Sequence, residues 1–138
     1  SIGYPQPPYE RDLEMNNKDA LNVLMNNYKS GKLERVVKEY GADEVVVQHA
    51  GVLELDSGEY DAYAIPDVEM KKLNRVYKAV GLGDTRNFIT GHSYLPTEKA
   101  FMFLAPKGED MDISHNLFGT FDMRAVLEKA GTHIYFIR

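Results

Sequence analysis

Apolar side chains recur every three or four residues in several segments of this chain, which is the spacing of one face of an α-helix. Helices are predicted over the residues that follow Asn16 or Asn17 as far as about Tyr28, from about Lys32 to Tyr40, from Asp67 to Val80, and from Asp122 to Ala130. Asn16, Asn17 and Asp122 can each cap a helix with a side-chain oxygen. Glycines stand where the predicted helices end, at Gly31, Gly41, Gly81 and Gly131.

Between the helices, β-branched and aromatic residues are bounded by Gly, Pro and Asp, a pattern typical of strands. Residues 44–65 are expected to form two or three antiparallel strands, with a turn at Asp56-Ser57-Gly58. Residues 87–95 and 99–105 are predicted to form a second pair, and residues 132–137 a last strand. Since strands occur in hairpins more often than around crossover helices, we expect an α+β fold: a mainly antiparallel sheet of about five or six strands with three or four helices packed on it.

The N-terminal segment, residues 1–13, follows neither period. It contains Pro5, Pro7 and Pro8 together with Tyr4 and Tyr9, a composition that favours extended polyproline geometry. We therefore divide the chain into an extended arm, residues 1–13, and a single α+β domain, residues 14–138. Two interpretations of the arm stay open: a terminus without a fixed position, and a segment whose tyrosines pack on a neighbouring subunit.

Composition excludes several classes of protein. With 43% hydrophobic and 27% charged residues, the chain has enough apolar side chains to fold as a globular domain. It has no cysteine, which rules out disulfides and thiolate metal sites. The net charge of −5 and the absence of a run of basic residues disfavour nucleic acid as a partner. Because neither a membrane-length apolar run nor a signal-peptide pattern is found, we expect a soluble, cytoplasmic protein with no membrane partner.

Metal and cofactor motifs are incomplete. Residues 110–116 alternate oxygen-bearing side chains as a calcium loop does, but His115 stands where that loop needs glycine and Phe121 where it needs a bidentate glutamate. The histidines, at positions 49, 92, 115 and 133, do not have metal-ligand spacing. Gly81-Leu82-Gly83 follows a helix instead of joining a strand to a helix, so it lacks the context of a phosphate-binding loop. The sequence predicts no metal and no cofactor.

One cluster of side chains has the composition of a catalytic site. Arg86, His92, Tyr94 and Lys99 lie on or beside one predicted hairpin, whose alternation puts His92 and Tyr94 on the same face. Arg86 could hold an anionic group, His92 could act as a base, and His115 could join them from a long loop. This favours a small hydrolase or transferase acting on a nucleotide-like anionic substrate. The polar face of an ordinary antiparallel sheet explains the same residues.

Tyrosines suggest a different function. The chain has nine, and tyrosine is enriched at protein interfaces. We select Tyr4, Tyr9, Tyr60 and Tyr63 as candidate binding residues, with Tyr60 and Tyr63 expected on opposite faces of a strand. Since no complete catalytic motif is present, the leading hypothesis is a noncatalytic protein-binding domain that acts as a regulator, inhibitor or assembly subunit, with a protein partner or self-association.

Overall fold

The structure is a computed structural model that describes residues 15–89, 93–95, 99–107 and 117–137, and gives the backbone alone at 93–95 and 121. The α-helices whose two ends both lie in this part of the chain are α1 (Asn17–Lys29), α2 (Lys32–Glu39), α3 (Asp67–Ala79) and α4 (Phe121–Lys129). The strands are β1 (Glu44–Leu55), β2 (Gly58–Pro66), β3 (Ser93–Leu95), β4 (Ala100–Pro106) and β5 (His133–Ile137). A short 3₁₀ helix spans Thr85–Phe88. The predicted α+β class is confirmed.

The strands form one sheet in the order β3-β4-β2-β1-β5. Neighbouring strands are antiparallel except β1 and β5, which run parallel. The sheet is therefore mixed, and the expectation of a mainly antiparallel sheet of about five or six strands is corrected by this parallel pair. The cause lies in how the two strands begin. Each follows a helix that ends at a glycine with positive φ, Gly41 or Gly131, and the amide of His133 donates to the carbonyl of Asp43. Both strands therefore enter the sheet at the same end.

Residues 44–65 form two long strands. Of the two or three strands expected there, the first, β1, continues through Ala50-Gly51 as a strand of 12 residues. Its pairing with β2 shifts between His49 and Gly51, which is a β-bulge. A bulge accommodates one extra residue in a strand without ending the ladder. The bulge explains why a glycine, here at φ +144°, lies inside a continuous strand.

Two predicted boundaries are corrected by local hydrogen bonds. The cap of α4 is Thr120 and not Asp122: the Thr120 hydroxyl accepts from the amide of Met123, and Asp122 lies in the first turn. Residues 87 and 88 belong to the 3₁₀ helix and not to a strand, because the Asp84 carboxylate accepts from the amide of Arg86 and begins the helix there. The predicted cap at Asn16 is confirmed, since its side chain accepts from the amide of Asp19.

The hydrophobic core lies between the helices and one face of the sheet, which we call the covered face. Strand residues that contribute buried side chains to this core are Val45, Val47, Tyr63, Ile65, Phe103 and Ala105. The strand register places them together: Tyr63 pairs with Phe103, and Ile65 with Phe101. Leu24, Leu33, Val37, Leu73 and Val76 are among the helical residues of the same core. None of the helices in the described ranges is long and apolar enough to cross a membrane.

Candidate functional site

The opposite face of the sheet, which we call the open face, carries large apolar side chains that are about half exposed. They are Leu53 (46%), Leu55 (49%), Tyr135 (51%) and Ile137 (53%). The register puts them on one face: Leu53 pairs with Tyr60 of β2, and Tyr135 with Val46 of β1. None of the four belongs to the core cluster. Tyr135 and Ile137 lie beside Val46 and Gln48, and Leu53 and Leu55 lie further along β1 on the same face. Large apolar side chains exposed on one face are a candidate contact surface.

Among the described strand residues, the open face carries one carboxylate and one histidine. Reading the register across β1, β2, β4 and β5, it comprises Glu44, Val46, Gln48, Leu53, Leu55, Tyr60, Ala62, Ala64, Met102, Leu104, His133, Tyr135 and Ile137. The carboxylate of Glu44 is the one acidic group of this set, and it pairs in register with His133 at the end of the sheet where β1 and β5 begin. Ala62 and Ala64 of this set are buried, so a partner would meet mainly the apolar side chains of β1 and β5, bordered at one end by polar side chains.

Of the four tyrosines selected as binding residues, the structure describes the side chains of two. Tyr60 lies on the open face, partly exposed, and its hydroxyl is 2.7 Å from the hydroxyl of Ser57. Tyr63 lies on the covered face, as the predicted alternation requires, but it is fully buried and stacks on Phe103 with ring centroids 5.7 Å apart. Tyr63 is therefore a core residue and is removed from the candidate surface. Tyr4 and Tyr9 lie outside the described residues.

Arg86, the arginine of the predicted catalytic cluster, is held by Asp84. Its Nε and Nη2 donate to the two carboxylate oxygens at 2.9 and 2.8 Å. Its guanidinium carbon lies 6.0 Å from the centre of the Phe101 ring, within the range of a cation–π contact. Burial raises the pKa of Asp84, but the hydrogen bonds and charge of Arg86 outweigh that effect and hold the pKa below its usual value. The guanidinium is thus fixed in orientation.

A cleft of about 310 Å³ lies beside Arg86. It is lined by Asp67, Met70, Lys71, Asn74, Arg86 and Phe101. The helical residues come from one side of α3, where positions 67, 71 and 74 are neighbours along the helix. The side-chain oxygen of Asn74 accepts from the amide of Thr85 at 2.9 Å, which ties α3 to the 3₁₀ helix that carries Arg86.

The rest of the predicted catalytic cluster is only partly visible. The backbone of Tyr94 pairs with Phe101, so its strand lies next to the ring that Arg86 covers. Lys99 is exposed and has a φ of +49°, in the left-handed region. His92 and His115 lie outside the described residues, so their proposed roles as base and loop contributor stay predictions.

A hydrogen-bonded pair that sequence reasoning missed lies on the covered face. His49 Nε2 is 2.8 Å from the Asp61 carboxylate, and the His49 ring meets the edge of Tyr63 at 5.4 Å. If strand pairs are counted from the turn at residues 56–58, His49 lies opposite Tyr63 only when the bulge is included. The bulge changes that register by one residue, and it is the step that the sequence pattern does not reveal.

Within the described ranges, no group of three or more His, Asp or Glu side chains is arranged to hold a metal ion. Comparison with protein-family models, curated proteins and solved structures found no match for this chain. The open face and the Arg86 cleft are the candidate functional sites among the described residues.

Proposed function

We propose that this chain is a noncatalytic assembly subunit that pairs with a second copy of itself through the open face. The observation that carries the proposal is the position of Leu53, Leu55, Tyr135 and Ile137, each about half exposed on one sheet face. Removing apolar surface from water is favourable by about 25 cal/mol per Å². A flat, apolar partner would bury most of this surface and so give the most favourable free energy of association.

The dimensions of the face agree with a modest dimer. Four strands spaced about 4.8 Å apart, each contributing about six residues at about 3.4 Å per residue, cover a projected area of about 400 Å². The accessible area is larger because side chains stand up from the sheet. Two copies together would cover about 800 Å² of projected surface, below the roughly 1,200 Å² at which specific stable interfaces begin. The expected dimer is therefore weak and depends on protein concentration.

Charge favours a second copy over a strongly charged partner. The chain carries a net charge of −5, so two copies repel at long range, and a contact surface between them should lack acidic groups. Of the described residues on the open face, Glu44 alone is acidic, and it lies at the end of the face in register with His133. Two sheets that meet face to face pack about 10 Å apart with their side chains interdigitated. This geometry needs only the side chains that the open face already presents.

Light scattering across a wide range of protein concentration tests the proposal. The wild-type chain should shift from monomer to dimer as concentration rises, and Leu53→Glu combined with Tyr135→Glu should remain monomeric because like charges would be placed inside the contact. Val68→Glu is the matched control, since Val68 is also an exposed apolar residue but lies on α3. The control should dimerise as wild type does. A wild-type chain that stays monomeric throughout would refute self-association.

The N-terminal arm is tested separately by removing residues 1–13. If Tyr4 and Tyr9 pack on the neighbouring copy, as the sequence hypothesis holds, the truncated chain should dimerise more weakly than the full chain. Equal dissociation constants for the two forms would remove the arm from the interface and leave the open face as the whole contact.

A second candidate function is a hydrolase or transferase acting on a nucleotide-like anionic substrate. The Arg86 cleft and the Tyr94 strand beside it support this candidate. The test is a set of nucleoside phosphates assayed for phosphate release, with His92→Ala, His115→Ala and wild type compared. Activity that is lost in His92→Ala while the melting temperature is unchanged would support the enzyme and count against a noncatalytic domain. If the wild-type chain releases no phosphate from any of these compounds, the enzyme candidate is rejected.

A further inference from the structure

We infer that the cleft beside Arg86 binds a planar aromatic molecule that carries a phosphate or carboxylate group and has the size of a mononucleotide. Its volume of about 310 Å³ is at the lower end of ligand sites, about 300 to 1,000 Å³. The inference concerns binding alone. It requires neither the open-face dimer nor a catalytic step.

The hydrogen-bond donors for the anionic group lie on α3. Because Asn74 uses its side-chain oxygen to accept from Thr85, its amide nitrogen is the group left to donate to a ligand in the cleft. Lys71, one helical turn before Asn74, is exposed and makes no ion pair with any residue in the described ranges. A phosphate or carboxylate between these two side chains would receive an ammonium and an amide donor.

The platform for the aromatic ring is formed by Phe101 and Arg86. Asp84 fixes the plane of the guanidinium through two hydrogen bonds, and the Phe101 ring lies 6.0 Å from its central carbon. Aromatic rings and guanidinium planes both stack on the faces of planar heterocycles. Met70, almost completely buried, supplies an apolar wall. These surfaces favour an aromatic group over a sugar or an aliphatic acid.

The local charge also favours an anion. The charged residues around the cleft are three positive ones, Lys71, Lys78 and Arg86, and two negative ones, Asp67 and Asp84. Their sum is a local charge of +1, in a chain with a net charge of −5. The charge of Lys78 acts on Asp84, which places it in the same neighbourhood. Asp67, one turn before Lys71, lines the same cleft.

Adenosine monophosphate is the probe, with adenosine and inorganic phosphate as separate partial ligands, titrated by calorimetry and by amide NMR shifts. We expect the nucleotide to bind more tightly than either partial ligand. Lys71→Ala should weaken the nucleotide by about tenfold, the effect of losing a charge-assisted hydrogen bond of about 1.5 kcal/mol, and should leave adenosine unchanged. Phe101→Leu should weaken adenosine as well.

Lys18→Ala is the matched control, because Lys18 is an exposed lysine on α1, away from the cleft. It should bind the nucleotide as wild type does, and Lys71→Arg should restore most of the affinity lost in Lys71→Ala. The proposal is overturned if wild type does not bind the nucleotide, if Lys71→Ala and Lys18→Ala bind it equally, or if inorganic phosphate binds as tightly as the nucleotide. Light scattering of the same variants measures dimerisation, so the result for nucleotide binding is obtained independently of the result for the dimer.

Discussion

His49 and Asp61 form a hydrogen bond of 2.8 Å across the β1-β2 hairpin, on the covered face of the sheet. The Asp61 residue is only 5% exposed, while His49 keeps part of its ring in solvent. A buried carboxylate is costly unless hydrogen bonds compensate for its lost hydration. The bulge between His49 and Gly51 brings the two side chains to the same face. The pair therefore connects the backbone irregularity of β1 to the placement of a buried charge.

Removing the imidazole should destabilise the fold. His49→Ala leaves the Asp61 carboxylate with fewer partners in a site that excludes water, so we expect the free energy of unfolding to fall by about 1–3 kcal/mol. Urea denaturation followed by circular dichroism measures the change. His133→Ala is the control: His133 is exposed on β5, and its substitution should change stability by less than about 0.5 kcal/mol. Equal losses in the two variants would show that the hydrogen bond contributes little.

Features set by neighbouring residues could be predicted from the sequence. The cap at Asn16 and the glycine that follows α2 depend on contacts within a few residues, so the pattern locates them correctly. The open face could not be predicted in the same way. In β5 both Tyr135 and Phe136 are aromatic, so alternation does not reveal that one is exposed and the other packs against the core.

The candidate sites show the same division. Arg86 could be selected because a cation near a polar hairpin suggests an anion site. Lys71 and Asn74 could not, since they are ordinary polar residues of a helix until the 3₁₀ helix is packed against them. The His49–Asp61 contact depends on a one-residue shift in strand register, and hydrophobic periodicity leaves that shift undetermined.

Glu69 should matter for the junction between the sheet and α3. Its carboxylate accepts from the amide of Val46 at 3.0 Å and from the ammonium of Lys72 at 3.1 Å. Glu69→Ala removes both contacts and leaves the Val46 amide without this acceptor, so the free energy of unfolding should fall by about 1–2 kcal/mol. Glu69→Gln, which keeps an acceptor but not the charge, should lose less. If the two variants lose the same amount in urea denaturation, the charge and not the backbone hydrogen bond is the important part.

Asp84 should contribute to stability in a pH-dependent way. The hydrogen bonds and charge of Arg86 overcome the effect of burial and hold the pKa of the folded-state carboxyl below its usual value of 3.8. A lowered pKa means that the contribution is complete above the unfolded-state pKa and is lost as pH falls through the folded-state pKa. Asp84→Asn should therefore be less stable than wild type at neutral pH, with the difference shrinking in acid. Urea midpoints measured from neutral pH to about pH 2 provide the test, and a constant difference across that range would contradict it.

Tyr77 should limit stability at alkaline pH. Its side chain is fully buried, its hydroxyl has no hydrogen-bond partner in the described part of the chain, and burial raises its pKa well above the usual value of 10.0. In the unfolded chain the phenol ionises near its usual pKa, so stability that is complete below pH 10 should be lost as pH rises above that value. Tyr77→Phe removes this ionisation and an unsatisfied hydroxyl, and should therefore be as stable as wild type, or more stable by up to about 1 kcal/mol, at neutral pH. Above pH 10 it should lose less stability than wild type. The control is Tyr28→Phe, at a partly exposed position of α1, which should lose stability above pH 10 as wild type does. If Tyr77→Phe also loses stability as wild type does, the buried phenol is not the group responsible.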